Sequence, residues 1–200
     1  MNGACITKAN IQACNGVIHV IQKVLLPPTK TVYDLINTDS RFVTLMEAIN
    51  VTKLGPILRN PTASLTLFAP TDWAFAKLEV NTPGTMETLL ANPGELTEVL
   101  EHHVVNGTLY ACGIHCMYSY WSWFSNHFSV YSLGRGVLRM RYDWRGPVYV
   151  NGKRIIDRDL PATNGVVHVI DDVLELYPQG RRLFRVSFHT AGRVKTGRLH

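Results

Sequence analysis

No run of eighteen or more apolar residues occurs in this chain, so no segment is long enough to cross a bilayer as a helix. No basic stretch leading into an apolar one opens it, so no secretory leader is legible. Signatures of catalysis are missing as well. No glycine-rich loop follows a strand to cradle a phosphate, and no Ser or Cys sits in a nucleophile elbow. Cys112, His115 and Cys116 lie close together but lack a fourth ligand for a closed metal site. These absences argue against an enzyme and give no ground for a metal or another cofactor. Charge is scarce too, at 18% of residues. It is also uneven, because the last twenty positions hold Arg181, Arg182, Arg185, Arg193, Lys195 and Arg198 and no acid. The net charge of +5 therefore belongs to the tail, and the remainder is close to neutral. No nucleic-acid recognition motif accompanies these charges, so a nucleic-acid partner is not expected. Arg181, Arg182 and Arg185 could instead hold a glycosaminoglycan or another polyanion, or simply belong to a solvated, disordered terminus.

What the chain does contain is a repeat. Asn164-Gly165-Val166-Val167-His168-Val169-Ile170 has a counterpart 149 positions earlier, in Asn15-Gly16-Val17-Ile18-His19-Val20-Ile21. Upstream, Ile11 and Ala13 align with Leu160 and Ala162. An interval of this length points to tandem domains rather than a short-period solenoid. Residues 1–28 are accordingly expected to be the C-terminal end of one domain and residues 29–178 a complete copy. Residues 179–200 remain as a basic tail, expected to be disordered. Asn-Gly marks a turn, since both residues tolerate positive φ. The β-branched run after it reads as a buried strand. His168, in the middle of that run, is expected to be a core histidine bonded to backbone.

Two further segments carry signal. Leu65-Thr66-Leu67-Phe68-Ala69-Pro70 reads as a short strand, followed by a helix capped by Thr71 or Asp72, with Trp73 half-buried beside the turn. In Glu95 to Val105, residues Leu96, Val99, Leu100 and His103 fall on one helical face, which turns His103 inward and His102 outward. Taken in order, these boxes resemble the fasciclin-like adhesion domain. Its first box has the form of Thr66 to Asp72, with Phe68, Ala69, Pro70 and Thr71. Its middle motif is a Tyr-His pair flanked by aliphatics, here Leu100, His102, His103, Val104 and Val105. Its closing box is the run from Asn164 and Gly165 through His168 to Ile170. The resemblance covers about residues 29 to 178, and the first 28 residues match the tail of a second copy.

The element pattern agrees with an α+β domain. Phe42, Leu45, Met46 and Ile49 repeat at helical spacing after Asp39-Ser40, a good N-cap pair, with a short helix from Thr31 to Ile36 ahead of it. Gly55-Pro56 breaks the pattern. Thr85 to Leu90 and Glu95 to Val104 supply two more helices. From Leu109 onward strands dominate: Val137 to Tyr142 alternates, Val148-Tyr149-Val150 is its hairpin partner, and Asn151-Gly152 turns into Arg154-Ile155-Ile156. The resemblance implies a twisted, wedge-like β-sandwich with helices packed at one side.

It also implies a function, as an extracellular adhesion or matrix-binding module of a larger secreted protein. Its partners would be a cell-surface integrin and matrix proteins such as collagen. Receptor recognition would fall on Asp159-Leu160, where a loop carboxylate completes a receptor-held metal ion and Leu160 fills a recess. It would fall as well on Leu100, His102, His103 and Val104, although His stands here in place of Tyr. A purely structural matrix scaffold is the alternative, as is a segment of a scavenger receptor that mixes such domains with cysteine-rich modules. Two sequons, at Asn50 and Asn106, are candidate glycosylation sites and fit secretion. Four cysteines allow three pairings, which remain open. A disulfide between Cys112 and Cys116 needs a turn, because an extended strand would hold their Cα atoms roughly 13 Å apart. The aromatic-rich stretch from Met117 to Tyr131 reads as a strand pair with rings on both faces, or as an exposed patch for a partner or glycan.

Overall fold

The computed structural model describes residues 3, 4, 6–111, 128–142 and 148–175. Cys112, Cys116, the aromatic stretch up to residue 127 and the basic tail with Arg181, Arg182 and Arg185 lie outside the described residues. An N-terminal hairpin, β1 (Ile6–Ala13) and β2 (Gly16–Ile21), comes first. Helical segments follow: α1 (Val32–Thr38), a 3₁₀ turn (Ser40–Phe42), α2 (Val43–Thr52) and α3 (Gly55–Arg59). Strand β3 (Leu65–Pro70) then precedes α4 (Asp72–Asn81), α5 (Thr85–Ala91) and α6 (Pro93–His102). The rest is strand: β4 (Val104–Asn106), β5 (Phe128–Tyr131), β6 (Val137–Tyr142), β7 (Val148–Val150), β8 (Lys153–Ala162) and β9 (Gly165–Ile170).

Side-chain caps start α1, α4 and the 3₁₀ turn, whereas α2, expected to be capped by the Asp39-Ser40 pair, begins after Phe42 without one. Thr31 and Asp34 form a capping box on α1, the Thr31 hydroxyl accepting from Asp34 N and the Asp34 carboxylate from Thr31 N. Asp39 caps the 3₁₀ turn through Arg41 N at 3.0 Å. Between Thr71 and Asp72 the structure chooses Thr71 as the cap of α4, accepting from Ala74 N. Asp72 serves another helix: its carboxylate accepts from Thr44 N at 2.7 Å and Val43 N at 3.3 Å, at the start of α2. Trp73 is not half-buried but 73% exposed, because Ala74 and Phe75 take the core side of α4. Helix α6 also ends earlier than its periodicity suggests. His103 caps it, and Val104 and Val105 turn out to be strand, where β-branching suits them.

Strands β4-β3-β9-β8-β7-β6-β5 make one seven-stranded sheet. Strand β3 runs parallel to β9 and antiparallel to β4. The sheet curls until its edges meet, with a bridge between Val105 and Ser132 and a bond from Leu133 N to Val104 O at 2.7 Å. All residues of β3 and β9 are buried, as expected of central strands covered on both faces. Leu65, Leu67, Ala69, Val167 and Val169 face the helices and join Phe42, Leu45, Ile49, Leu96 and Leu100. On the other face Phe68 and Ile170 pack with Leu138, Met140, Val150 and Ile155 inside the curl. The result is the α+β wedge that the motif order implies.

Candidate functional site

The closing box is a structural staple. Asn164, 2% exposed, accepts from Val32 N at 2.8 Å and donates to Leu58 O and Asn60 O, both at 2.9 Å. One side chain thereby ties α1 and α3 to the start of β9. Gly165 is required by proximity: a Cβ there would overlap the backbone carbonyl of Leu65 on β3. Its φ of 156° is also one that side-chain-bearing residues seldom adopt. His168 is fully buried, stacked on Phe68 with centroids 5.6 Å apart. Its Nε2–H donates to Leu109 O at 2.7 Å, and its Nδ1 accepts from Asp159 N at 3.2 Å. That pairing holds the neutral ring, and burial pushes its pKa below the ordinary value, despite the nearby Asp159 carboxylate.

Both histidines of the middle motif are buried, and the outward orientation expected for His102 does not hold. His103 Nδ1 donates to Val99 O at 2.7 Å, while its Nε2 accepts from Leu174 N at 2.9 Å. Burial lowers its pKa to about 4. His102 is 2% exposed, with Nδ1 3.2 Å from Ser132 Oγ. It would face solvent on an isolated helix, but the turn after β5 folds over it. A Cβ on Gly136 would overlap its ring, so the absence of a side chain there makes the room. Leu100 and Val104 are buried too, at 3% each. None of these side chains is presented for contact with a receptor.

Asp159 and Leu160, expected in a loop, lie in a strand instead. Asp159 lies inside β8, at a break in the pairing with β9 between Asp157 and Leu160, and is 7% exposed. Its φ of 60° is left-handed, a strained conformation for a residue with a side chain. The carboxylate is occupied, accepting from Ala111 N at 2.7 Å, and Gly3 lies against it. Leu160, by contrast, is half-buried and lines a cleft of about 240 Å³ with Leu35, Ile36, Phe42, Pro161 and Val167. Thr38, Asp39 and Arg41 supply its polar lining. Arg41 makes a bidentate pair with Asp39 and reaches Asp157 at 3.5 Å, whose side chain is 44% exposed. Asp157 is thus the accessible carboxylate beside this cleft, and neither it nor Arg41 was singled out by the motifs.

Asn50, on α2, and Asn106, closing β4, are both exposed. Among the described residues no group of three His, Cys, Asp or Glu is arranged to hold a metal ion. No described helix is long and apolar enough to cross a membrane.

Comparison with known proteins defines the class. The fasciclin domain profile matches residues 1–27 and 40–176, and the chain belongs to the fasciclin domain family. It is 31% identical over 175 residues to transforming growth factor-beta-induced protein ig-h3 of Oryctolagus cuniculus, covering 88% of this chain and 23% of that protein. It is 25% identical over 178 residues to Homo sapiens periostin, covering 89% and 20%. Uncharacterized protein sll1735 of Synechocystis is 35% identical over 137 residues, or 68% of this chain and 91% of that protein. The chain therefore spans about a quarter of the ig-h3 relative but nearly the whole of the cyanobacterial one. A FAS1 domain pair from the insect cell adhesion molecule Fasciclin I shares the fold, with a TM-score of 0.66 and 21% identity over 86% of this chain and 60% of that one.

Proposed function

We propose that this chain is an extracellular adhesion module of a larger multidomain secreted protein, and that it binds a protein partner at the Leu160 cleft. The observation that carries the reading is the cleft itself. It has an apolar floor and the Arg41 guanidinium in its lining, and an accessible carboxylate outside that lining, Asp157, lies 3.5 Å from the guanidinium. An apolar side chain of a partner fills the floor, while Asp157 offers the ligand that a receptor-held divalent ion needs. An integrin is the receptor class that matches this chemistry, and collagen or another matrix protein is the structural partner. Family membership supports the adhesive reading, since relatives carry names such as Fasciclin-1 and periostin. Residues 1–28 are read as the closing hairpin of a second fasciclin body, and Asn50 and Asn106 as glycan sites. Arg181, Arg182 and Arg185 are read as a glycosaminoglycan-binding cluster, and Cys112 with Cys116 as a disulfide.

The test is cell spreading on the immobilised full chain, with and without EDTA, beside Asp157→Asn and Arg41→Glu. Both side chains are exposed, so their melting curves should match the parent. Spreading lost with EDTA and in both variants supports receptor binding at the cleft. No spreading on the folded parent overturns the receptor role and leaves the matrix scaffold. Asp159→Ala serves as the contrast, because it should act through folding by stripping Ala111 N of its acceptor.

A further inference from the structure

The N-terminal hairpin copies the closing hairpin of the domain pair for pair. Ile6↔Ile21, Lys8↔Val20, Ile11↔Ile18, Gln12↔Val17 and Ala13↔Gly16 in the first correspond to Ile155↔Ile170, Asp157↔Val169, Leu160↔Val167, Pro161↔Val166 and Ala162↔Gly165 in the second. The bulge is copied as well. Asn10, at φ 58°, donates from its backbone N to His19 Nδ1 at 3.2 Å, as Asp159, at φ 60°, does to His168 Nδ1 at 3.2 Å. The surroundings are what differ. In β9, Val166, Val167, Val169 and Ile170 are no more than 1% exposed, with β3 on one edge and β8 on the other. In β2, Val17, Ile18 and Val20 are 50%, 55% and 43% exposed, and β1 is the only strand beside it among the described residues. An apolar strand with an open edge is a template for another strand.

We propose that the free edge of β2 is a docking edge for a parallel strand of β3 type, carried by a fasciclin body without a closing hairpin of its own. The proposal rests on the reading of residues 1–28 as a closing hairpin, and it adds the occupant and the register. Parallel pairing of β3 with β9 places Leu65 opposite Gly165, Phe68 opposite His168 and Pro70 opposite Ile170. Transferred to β2, the incoming strand sets Leu opposite Gly16, an aromatic ring opposite His19 and Pro opposite Ile21. Asn15 stands where Asn164 stands, exposed and placed to receive a helix-start N–H and donate to two carbonyls. A second intact copy does not fit, because its β3 already has β4 and β9 on its two edges.

Gly16 makes the idea testable without damage to the fold. A Cβ there meets nothing within 4 Å, whereas the same atom on Gly165 overlaps the neighbouring backbone. Gly16→Ala should leave the chain as it is and block only the incoming strand. Amide hydrogen exchange is followed on the full 200-residue chain, with a synthetic peptide of residues 63–71 at up to millimolar concentration. A scrambled peptide is the control. The expected result is exchange at least tenfold slower within Gly16–Ile21 on adding the peptide, absent with the scrambled peptide and absent in Gly16→Ala. No slowing in the parent overturns the proposal, as does equal slowing in Gly16→Ala. Slow exchange of this edge before peptide is added, with dimers in sedimentation, overturns it in favour of self-pairing. The amides that pair β1 with β2 report separately on the underlying reading. If they exchange as an unfolded peptide would, residues 1–28 do not form a closing hairpin. If they are protected and the peptide does nothing, that reading stands and only the docking fails.

Discussion

Acidification from pH 7 to pH 4.5 should destabilise this domain before its carboxylates are protonated, and His103 is the main reason. Leu174 N–H points at Nε2, so a proton added there meets another donor across 2.9 Å, in a site without solvent. Burial holds the folded pKa at about 4, against 6.5 for the ordinary imidazole. The unfolded chain therefore takes up a proton as pH falls through 6.5, and the folded chain does so only near 4. Between those values the unfolded state binds more protons, so stability rises with pH and is lost on acidification. At about 1.4 kcal/mol per pH unit, His103 alone accounts for about 3 kcal/mol by pH 4. His168 and His102 shift in the same direction through burial and steepen the loss. Asp172 works in another window. Burial raises its pKa, but hydrogen bonds from Lys77 and Lys153 outweigh that and hold it low, so its contribution disappears only below about pH 4. Urea denaturation at pH 7, 6, 5 and 4.5 should show a falling midpoint across the histidine window. Ring proton shifts assign the effect to residues. A midpoint that is flat from pH 7 to 5, or a His103 ring that titrates near 6.5 in the folded protein, would refute the reasoning.

Other substitutions should separate staple from surface. Asn164→Ala strips partners from Val32 N, Leu58 O and Asn60 O, and at about 1 kcal/mol or more for each it should cost about 3 kcal/mol, read as a lower urea midpoint. Gly165→Ala forces β3 and β9 apart and should cost about 3 kcal/mol or more by the same assay, in contrast to a silent Gly16→Ala. Asp72→Ala removes the acceptor at the start of α2 and should cost about 1 kcal/mol, a fall of a few degrees in Tm. Trp73→Ala, at a residue 73% exposed, should change Tm by no more than about 1 °C.

What could be read from the sequence, and what could not, follows one physical division. Local rules worked where local atoms decide the outcome. A short helix begins beside Thr31, Asp39 caps the 3₁₀ turn, Asn151 and Gly152 take positive φ in the β7–β8 turn, and the Leu65–Pro70 strand gives way to a helix capped by Thr71. They failed where a distant segment supplies the environment. His102 looks outward on a helical wheel, yet Ser132 and Gly136, thirty or more positions away, close over it. Asp159 reads as a loop carboxylate by resemblance, yet its backbone N–H is held by His168 and its carboxylate accepts from Ala111 N. The repeat shows the same division within one molecule. Two hairpins of matching sequence form the same pairs and the same bulge, so their backbone conformation is local information. One is buried and the other exposed, so burial is not. Motif residues such as Asp159, His102 and His103 are thus bonded within the fold, and under the proposed function partner contact is assigned to Leu160, Arg41 and Asp157, of which the resemblance marked only Leu160. A receptor assay on Asp157→Asn beside Asp159→Ala tells the two apart: the first should lose binding at unchanged Tm, and the second should lose Tm first.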